Sequence, residues 1–249
     1  MLARVGALDV HYELSGPEAA PVVTFVHGLA ASLDAWEGQA ERLSDRFRVL
    51  RYDLRAHGKT TSLDQPCSRH DLAADLVGLL DVLGIEKTAV VGHSAGGVIT
   101  QQTAVDFPSR ISALGFIGTA SECNDKTAAW YSKCIDLARS EGGASVMKAM
   151  GMKPDRSPVP DGPGMAPVIE AMRSLNVDPL TAALREVRVP TLIIVGEKDF
   201  LGVGGSVILS RAVEGSELEI VAGRGHGIYL EDPDWFAGRL GGFLARHLL

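Results

Sequence analysis

Six mostly apolar runs set the possibilities for this chain: Pro21–Val26, Phe47–Tyr52, Lys87–Val91, Ile111–Ile117, Pro190–Val195 and Glu217–Val221. Each is closed by glycine or a polar residue: His27-Gly28, Asp53, Gly92, Gly118-Thr119, Gly196 and Ala222-Gly223. A strand covered on both faces needs such a run, whereas a half-exposed strand would alternate. Helical patterns lie between them. His70–Gly84 sets Leu72, Leu76, Leu79, Leu80 and Leu83 on one face, with Ser68 and Asp71 as a start signal and Gly84 as a stop. Ala95–Phe107 ends before Pro108, and Pro233–Leu248 opens on proline and carries Trp235, Phe236, Leu240, Phe243 and Leu244. The alternation predicts an open, mostly parallel α/β sheet, with right-handed crossovers that put helices on both faces. Ahead of it, Ala3–Ala7 and Leu8–Leu14 are short, alternating and closed by Ser15-Gly16-Pro17, so they predict an antiparallel edge pair.

One stretch breaks the alternation. From Ser121 to about Thr181 no strand pattern appears; Asp125–Ser140 and Gly143–Met150 read as helices. Met152–Pro167 (MKPDRSPVPDGPGMAP) is rich enough in proline and glycine to predict irregular structure. All methionines but Met1 fall between Met147 and Met172. They could fill a small helical core, or line the pliable underside of a lid; long excursions in compact domains favour the lid. The expected organisation is a core domain of residues 1–120 and 182–249 with a helical lid at 121–181.

With 249 residues the chain can bury a large core without disulfides or metal, and 46% hydrophobic and 22% charged residues are globular proportions. A net charge of -7 and the lack of a basic run argue against a nucleic-acid partner. Cys67, Cys123 and Cys134 are widely spaced and odd in number, which fits free thiols in a reducing compartment. Charges at Arg4, Asp9 and Glu13 interrupt any secretory apolar stretch, and no run approaches a membrane span. The expectation is a cytoplasmic protein with a small-molecule substrate, no membrane partner, no metal and no cofactor. Its oligomeric state is left open, a homodimer included.

Gly92-His93-Ser94-Ala95-Gly96 matches the Gly-x-Ser-x-Gly pattern. In a chain with 28 glycines this is weak by itself, since chance supplies about 0.2 matches. Its setting carries more weight. A strand precedes Ser94 and a helix follows it, as a nucleophile turn requires, and small neighbours let the chain pass. The Ala95 amide would then sit at a helix N-terminus, able to donate to an oxyanion. A serine hydroxyl needs a base, normally a histidine held by a carboxylate. Of seven histidines only His226 and His247 follow a candidate acid in the order Ser–acid–His, and His247 is three residues from the end. His226, in a glycine-flanked loop after the last strand, is the expected base. Asp199, after Gly196, is the expected acid; Glu122, after Ile111–Ile117, is the rival, and Glu197 reads as a solvated loop charge. The Leu29 amide is the expected second oxyanion donor. His27, His57 and His93 read as bracing residues rather than catalysts. Trp36, Trp130, Tyr131, Met147 and Met150 are candidate pocket residues, with Met165 as a further apolar contributor.

HGLAAS, DLRAHGKT, VGHSAGG, VGEKD and GHGIYLEDP occur in that order, and over nearly the whole chain they resemble the α/β-hydrolase superfamily. The resemblance implies an eight-stranded sheet with a lid after strand six. It also implies Ser94 as nucleophile, Asp199 as acid, His226 as base and the Leu29 and Ala95 amides as the oxyanion hole. The middle, Asp53 to Thr119, is similar to 3-oxoadipate enol-lactonases and to meta-cleavage C–C hydrolases, menaquinone-pathway relatives and cofactor-free haloperoxidases. No arginine of 121–181 can be assigned to a substrate carboxylate, which argues mildly against close kinship with the enol-lactonases. The expected activity is hydrolysis of a small carboxylic ester or lactone through an acyl-enzyme. The alternatives are C–C hydrolysis of meta-cleavage products and ligand binding by a hydrolase-fold receptor.

Overall fold

The computed structural model describes residues 1–63, 65–152 and 158–249. The strands are β1 (Leu2–Val5), β2 (Leu8–Ser15), β3 (Val22–Val26), β4 (Arg48–Tyr52), β5 (Thr88–His93), β6 (Ile111–Ile117), β7 (Thr191–Gly196) and β8 (Glu217–Val221). They form one eight-stranded sheet in the order β1-β2-β4-β3-β5-β6-β7-β8. β1 and β2 pair antiparallel, β2 joins β4 antiparallel, and every later pairing is parallel. Each apolar run of the sequence is therefore a strand, displaced by no more than two residues at an end.

Alternate side chains on the central strands serve two different cores. Val26, Val90, Leu114, Phe116 and Ile193 face one apolar layer. Phe25, Ala89, Val91, Ala113, Ile117, Leu192 and Ile194 face the other. Both layers exclude water because helices cover them. The first is capped by α2 (Arg69–Val82) and α3 (Ala95–Asp106), and the second by α1 (Glu37–Leu43) and α9 (Pro233–Leu248). At the start of α2 the Ser68 hydroxyl accepts from the Asp71 amide while Asp71 accepts from the Ser68 amide, the reciprocal cap its spacing predicts.

Between β6 and β7, the described elements are helical: α4 (Asp125–Ser140), α5 (Gly143–Ala149) and α6 (Gly162–Arg173), then short 3-10 turns. α6 corrects the expectation of irregular structure over Met152–Pro167; residues 153–157 of that stretch lie outside the described residues. The helix starts where proline is tolerated. Asp161 caps it through the Gly164 amide, and Pro163 falls in the first turn, where a helix has no use for its missing N–H. The glycines serve close approach: a Cβ at Gly162 would lie 2.4 Å from the Ala138 carbonyl oxygen, and one at Gly164 would meet Ser62 and Ala56. Two further helices, α7 (Gly204–Ala212) and α8 (Ile228–Glu231), follow β7 and β8. Among the described residues no helix is long and apolar enough to cross a membrane.

Candidate active site

Ser94 stands between β5 and α3 with φ 53° and ψ -119°, a left-handed conformation that a side chain rarely adopts. The turn is held at several points. The Ser94 amide donates to the Ile117 carbonyl at 2.9 Å, and the Ser94 carbonyl accepts from Thr119 Oγ1 at 2.8 Å and from the Gly97 amide at 2.9 Å. Close packing dictates the small neighbours. A Cβ at Gly92 would lie 2.2 Å from the Gly96 carbonyl oxygen, and one at Gly96 would lie 2.3 Å from that of Val26. The first helical residue after the turn is Ala95, so its amide belongs to the N-terminal end of α3.

The loop after β3 passes beside this turn: a Cβ at Gly28 would lie 3.2 Å from Ser94 Cβ. Two buried histidines fix it. His27 Nδ1–H donates to the Gly28 carbonyl at 2.8 Å while Nε2 accepts from the Leu54 amide at 3.0 Å. His57 Nδ1–H donates to the Arg55 carbonyl at 2.9 Å while Nε2 accepts from the Ala30 amide at 3.1 Å. Each ring thus uses one nitrogen as donor and the other as acceptor, which only the neutral tautomer can do. Burial lowers both pKa values, that of His57 to about 3. Asp53, also buried, accepts from the Leu33 amide at 2.7 Å and from His11 Nδ1 at 2.8 Å, so the loop is tied to β4 and β2. Among the described residues the Leu29 and Ala95 amides donate to no acceptor.

Beyond β7 and β8 two loops meet. The Lys198 amide donates to the Arg224 carbonyl at 2.8 Å, and a Cβ at Gly196 would lie 2.2 Å from the Gly225 carbonyl oxygen. This contact sets Asp199 against His226: His226 Nδ1–H donates to Asp199 Oδ2 at 2.8 Å. The second carboxylate oxygen, Oδ1, accepts from the Leu201 amide at 2.9 Å, so the side chain is pinned at both ends. Asp199 is buried while His226 keeps part of its ring exposed. Glu122 lies elsewhere, accepting from Thr181 Oγ1 at 2.8 Å. Glu197 is exposed and accepts from the Gly223 amide at 2.8 Å, one more tie between the two loops. His247 lies exposed near the end of α9.

His93 is a bracing residue, as its sequence position suggests. Its Nε2–H donates to the His226 carbonyl at 3.0 Å, and its ring packs 4.5 Å from that of His226 and 4.9 Å from that of Tyr229. Burial holds its pKa well below that of an ordinary histidine. The residue before Ser94 thus braces the loop that carries His226.

Ser94 and His226 open into one cavity of about 180 Å³, whose walls include Leu29, Trp130, Tyr131, Met150 and Tyr229. Two of the proposed pocket residues are not there. Trp36 is fully buried in the core, stacked on Tyr229 at 4.1 Å and against Phe25 at 4.7 Å. It backs a cavity wall instead of forming one. Met147 is fully buried too, as is Met165; both belong to the apolar layer beneath the helical stretch, where unbranched side chains fill gaps. Met150 and Met152 reach the cavity, so the methionine cluster is divided between the two uses weighed for it. The sequence reading missed Phe200 and Leu230. Both line the cavity while largely exposed, and the Phe200 ring lies 4.5 Å from that of His226. Their signal was adjacency: each is within four residues of Asp199 or His226. Among the described residues no cluster of three or more His, Cys, Asp or Glu is placed to hold a metal ion.

A serine on a strained turn, a histidine–carboxylate pair, and two amides without an acceptor among the described residues suit attack on a carbonyl carbon. Known proteins share this arrangement of elements. The chain is 28% identical to RutD from Agrobacterium fabrum, a protein named provisionally as a carbamate hydrolase, over 94% of this chain and 98% of that one. Its structure superposes on the enol-lactonase from Burkholderia xenovorans LB400 with a TM-score of 0.88 and 26% identity, covering 98% of this chain and 100% of that one. The fold is also that of the meta-cleavage product hydrolase CumD, in its A129V mutant, with a TM-score of 0.77 and 19% identity over 99% and 98% of the two chains. The sequence profile of the alpha/beta hydrolase fold matches residues 21–149. The chain belongs to the alpha/beta hydrolase fold family and is an enzyme of that class.

Proposed function

We propose that this enzyme is a serine hydrolase that cleaves a small carboxylic ester or lactone through an acyl-enzyme on Ser94. The observation that carries the reading is the 2.8 Å bond from His226 Nδ1 to Asp199, which turns the other ring nitrogen of His226 into a base in the cavity that Ser94 lines. In the first step Ser94 Oγ attacks the carbonyl carbon and His226 Nε2 takes the hydroxyl proton. The oxyanion accepts from the Leu29 and Ala95 amides. Asp199 stays ionised and stabilises the imidazolium, which returns its proton to the leaving oxygen as the carbon–oxygen bond breaks. Water, deprotonated by the same nitrogen, then attacks the acyl carbon, and the imidazolium returns that proton to Ser94 Oγ as the acyl–oxygen bond breaks and the acid leaves.

The helices of residues 121–181 act in this reading as a lid, bringing Trp130, Tyr131 and Met150 over the nucleophile. Likeness to an enol-lactonase supports an ester or lactone over the C–C bond cleaved by meta-cleavage product hydrolases. Ser94→Ala should abolish hydrolysis of p-nitrophenyl acetate and labelling by a fluorophosphonate probe. Undiminished turnover in that variant would overturn the assignment. A panel of simple esters, enol-lactones and ring-fission products separates the substrate classes, and activity on ring-fission products alone would replace the ester reading with C–C hydrolysis.

A further inference from the structure

Ser94 also borders a second cavity, of about 310 Å³. Ser94, Tyr131 and Leu201 line both spaces, so the nucleophile stands where two arms meet. The arms differ in chemistry. The first holds His226 and is walled by Trp130, Met150, Met152, Tyr229 and Leu230. The second lacks His226 and is walled in part by Thr119, Asn124, Thr127 and Glu122.

A proton must pass from His226 to the leaving oxygen, so the leaving group belongs in the arm that His226 lines. The acyl chain then extends into the second arm. There the one described charged side chain is Glu122, a carboxylate held by Thr181 Oγ1. Among the described residues no lysine or arginine lines either arm. Lys126 lines a different cavity, and Arg173 is engaged with Glu170. Glu122 is itself exposed, so an acyl chain ending in a carboxylate would meet a like charge that solvent partly screens, and among the described residues of the arm no cation offsets it.

We propose that Glu122 makes the second arm a charge filter, so that the enzyme takes esters of apolar alcohols whose acyl part is polar but uncharged, and rejects those whose acyl part ends in a carboxylate. Glu122, a rival for the triad acid by its sequence position, is on this view a specificity residue. The inference rests on the serine-hydrolase reading, and the experiment separates the two.

The test measures kcat/KM for benzyl butyrate, benzyl succinamate and monobenzyl succinate by benzyl alcohol release. Succinamate and succinate acyl groups have nearly the same shape and differ in charge. The wild type should prefer the succinamate about fivefold, with the gap narrowing as salt is added. Glu122→Gln should bring the ratio below about twofold, because it removes the charge and keeps the shape. Equal rates in the wild type, or a preference that survives in Glu122→Gln or in high salt, overturn the charge filter while benzyl butyrate turnover leaves the hydrolase reading standing. Labelling of Ser94 by a fluorophosphonate without turnover of any benzyl ester also overturns the inference alone. Absence of both labelling and turnover overturns the two together.

Discussion

At the scale of single residues, the site is organised by hydrogen bonds that leave few choices of protonation. Asp199 accepts from His226 and from the Leu201 amide, so its carboxylate selects the His226 tautomer that carries its proton on Nδ1 and leaves Nε2 free to accept. Asn at 199 keeps the shape but can donate, and it would stabilise the opposite tautomer. Asp199→Asn should therefore lower kcat by about 10³- to 10⁴-fold. Stopped-flow kinetics on p-nitrophenyl acetate measure this, and a loss below tenfold would remove Asp199 from the proposed triad. The sequence nominated Asp199 by its place after a strand end and Gly196, with Glu122 as an alternative. Asp199 meets His226 because the loops after β7 and β8 touch, whereas Glu122 meets Thr181; such contact is a tertiary event that no local pattern encodes. The same holds for His93. Beside Ser94 it reads as a bracing residue, but what it braces, a carbonyl 133 residues away in sequence, is not local information.

At the scale of elements, strands were the most legible because burial on both faces imposes an uninterrupted apolar run, and the runs stop where loops begin. Helices with a cap or a leucine face, such as α2 and α9, were legible for the same kind of reason. α6 was not. Its prolines and glycines carry the local signature of a loop, but Asp161 caps it, Pro163 sits in its first turn, and Gly162 and Gly164 admit close neighbours. Tertiary packing overrides propensity there. The junction of β5 and α3 shows how narrow such tolerances are. A Cβ at Gly96 would lie 2.5 Å from the His27 carbonyl oxygen as well as 2.3 Å from that of Val26, both of them backbone that cannot rotate aside. Gly96→Ala should lower stability by about 1–3 kcal/mol by prising α3 from β3. Urea denaturation checks this, and an unchanged midpoint would mean the helix has room to shift.

At the scale of the whole molecule, the buried neutral histidines link stability to pH. His27, His57 and His93 all have pKa values lowered by burial, so below pH 6.5 the unfolded chain binds protons that the folded chain does not. Stability is then fully present above the unfolded value of about 6.5 and is lost as pH falls towards the folded values. For His57, with a folded value of about 3, the loss between pH 7 and pH 5 is about 2 kcal/mol. Protonation would also remove the acceptor for the Ala30 amide, in the loop that carries Leu29. Thermal unfolding followed from pH 8 to 4.5 should show Tm falling below pH 6.5, with a shallower slope in His57→Gln. Equal slopes for the two proteins would show that His57 contributes nothing to the linkage.

By itself the sequence determined the strand runs, the order of strand and helix, the serine turn and the shortlist of acids and bases. These follow from local requirements: an apolar run for a buried strand, small residues for a tight turn, a carboxylate and a histidine downstream. Tertiary structure alone decided which shortlisted side chains meet and which apolar residues face a cavity. Trp36 and Met147 carry the same composition signal as Trp130 and Met150, but the first pair fills the core and the second pair lines the cavity. Hydrophobicity demands removal from water, and both places provide it. Only the packing of the helical stretch over the sheet assigns each side chain to one or the other.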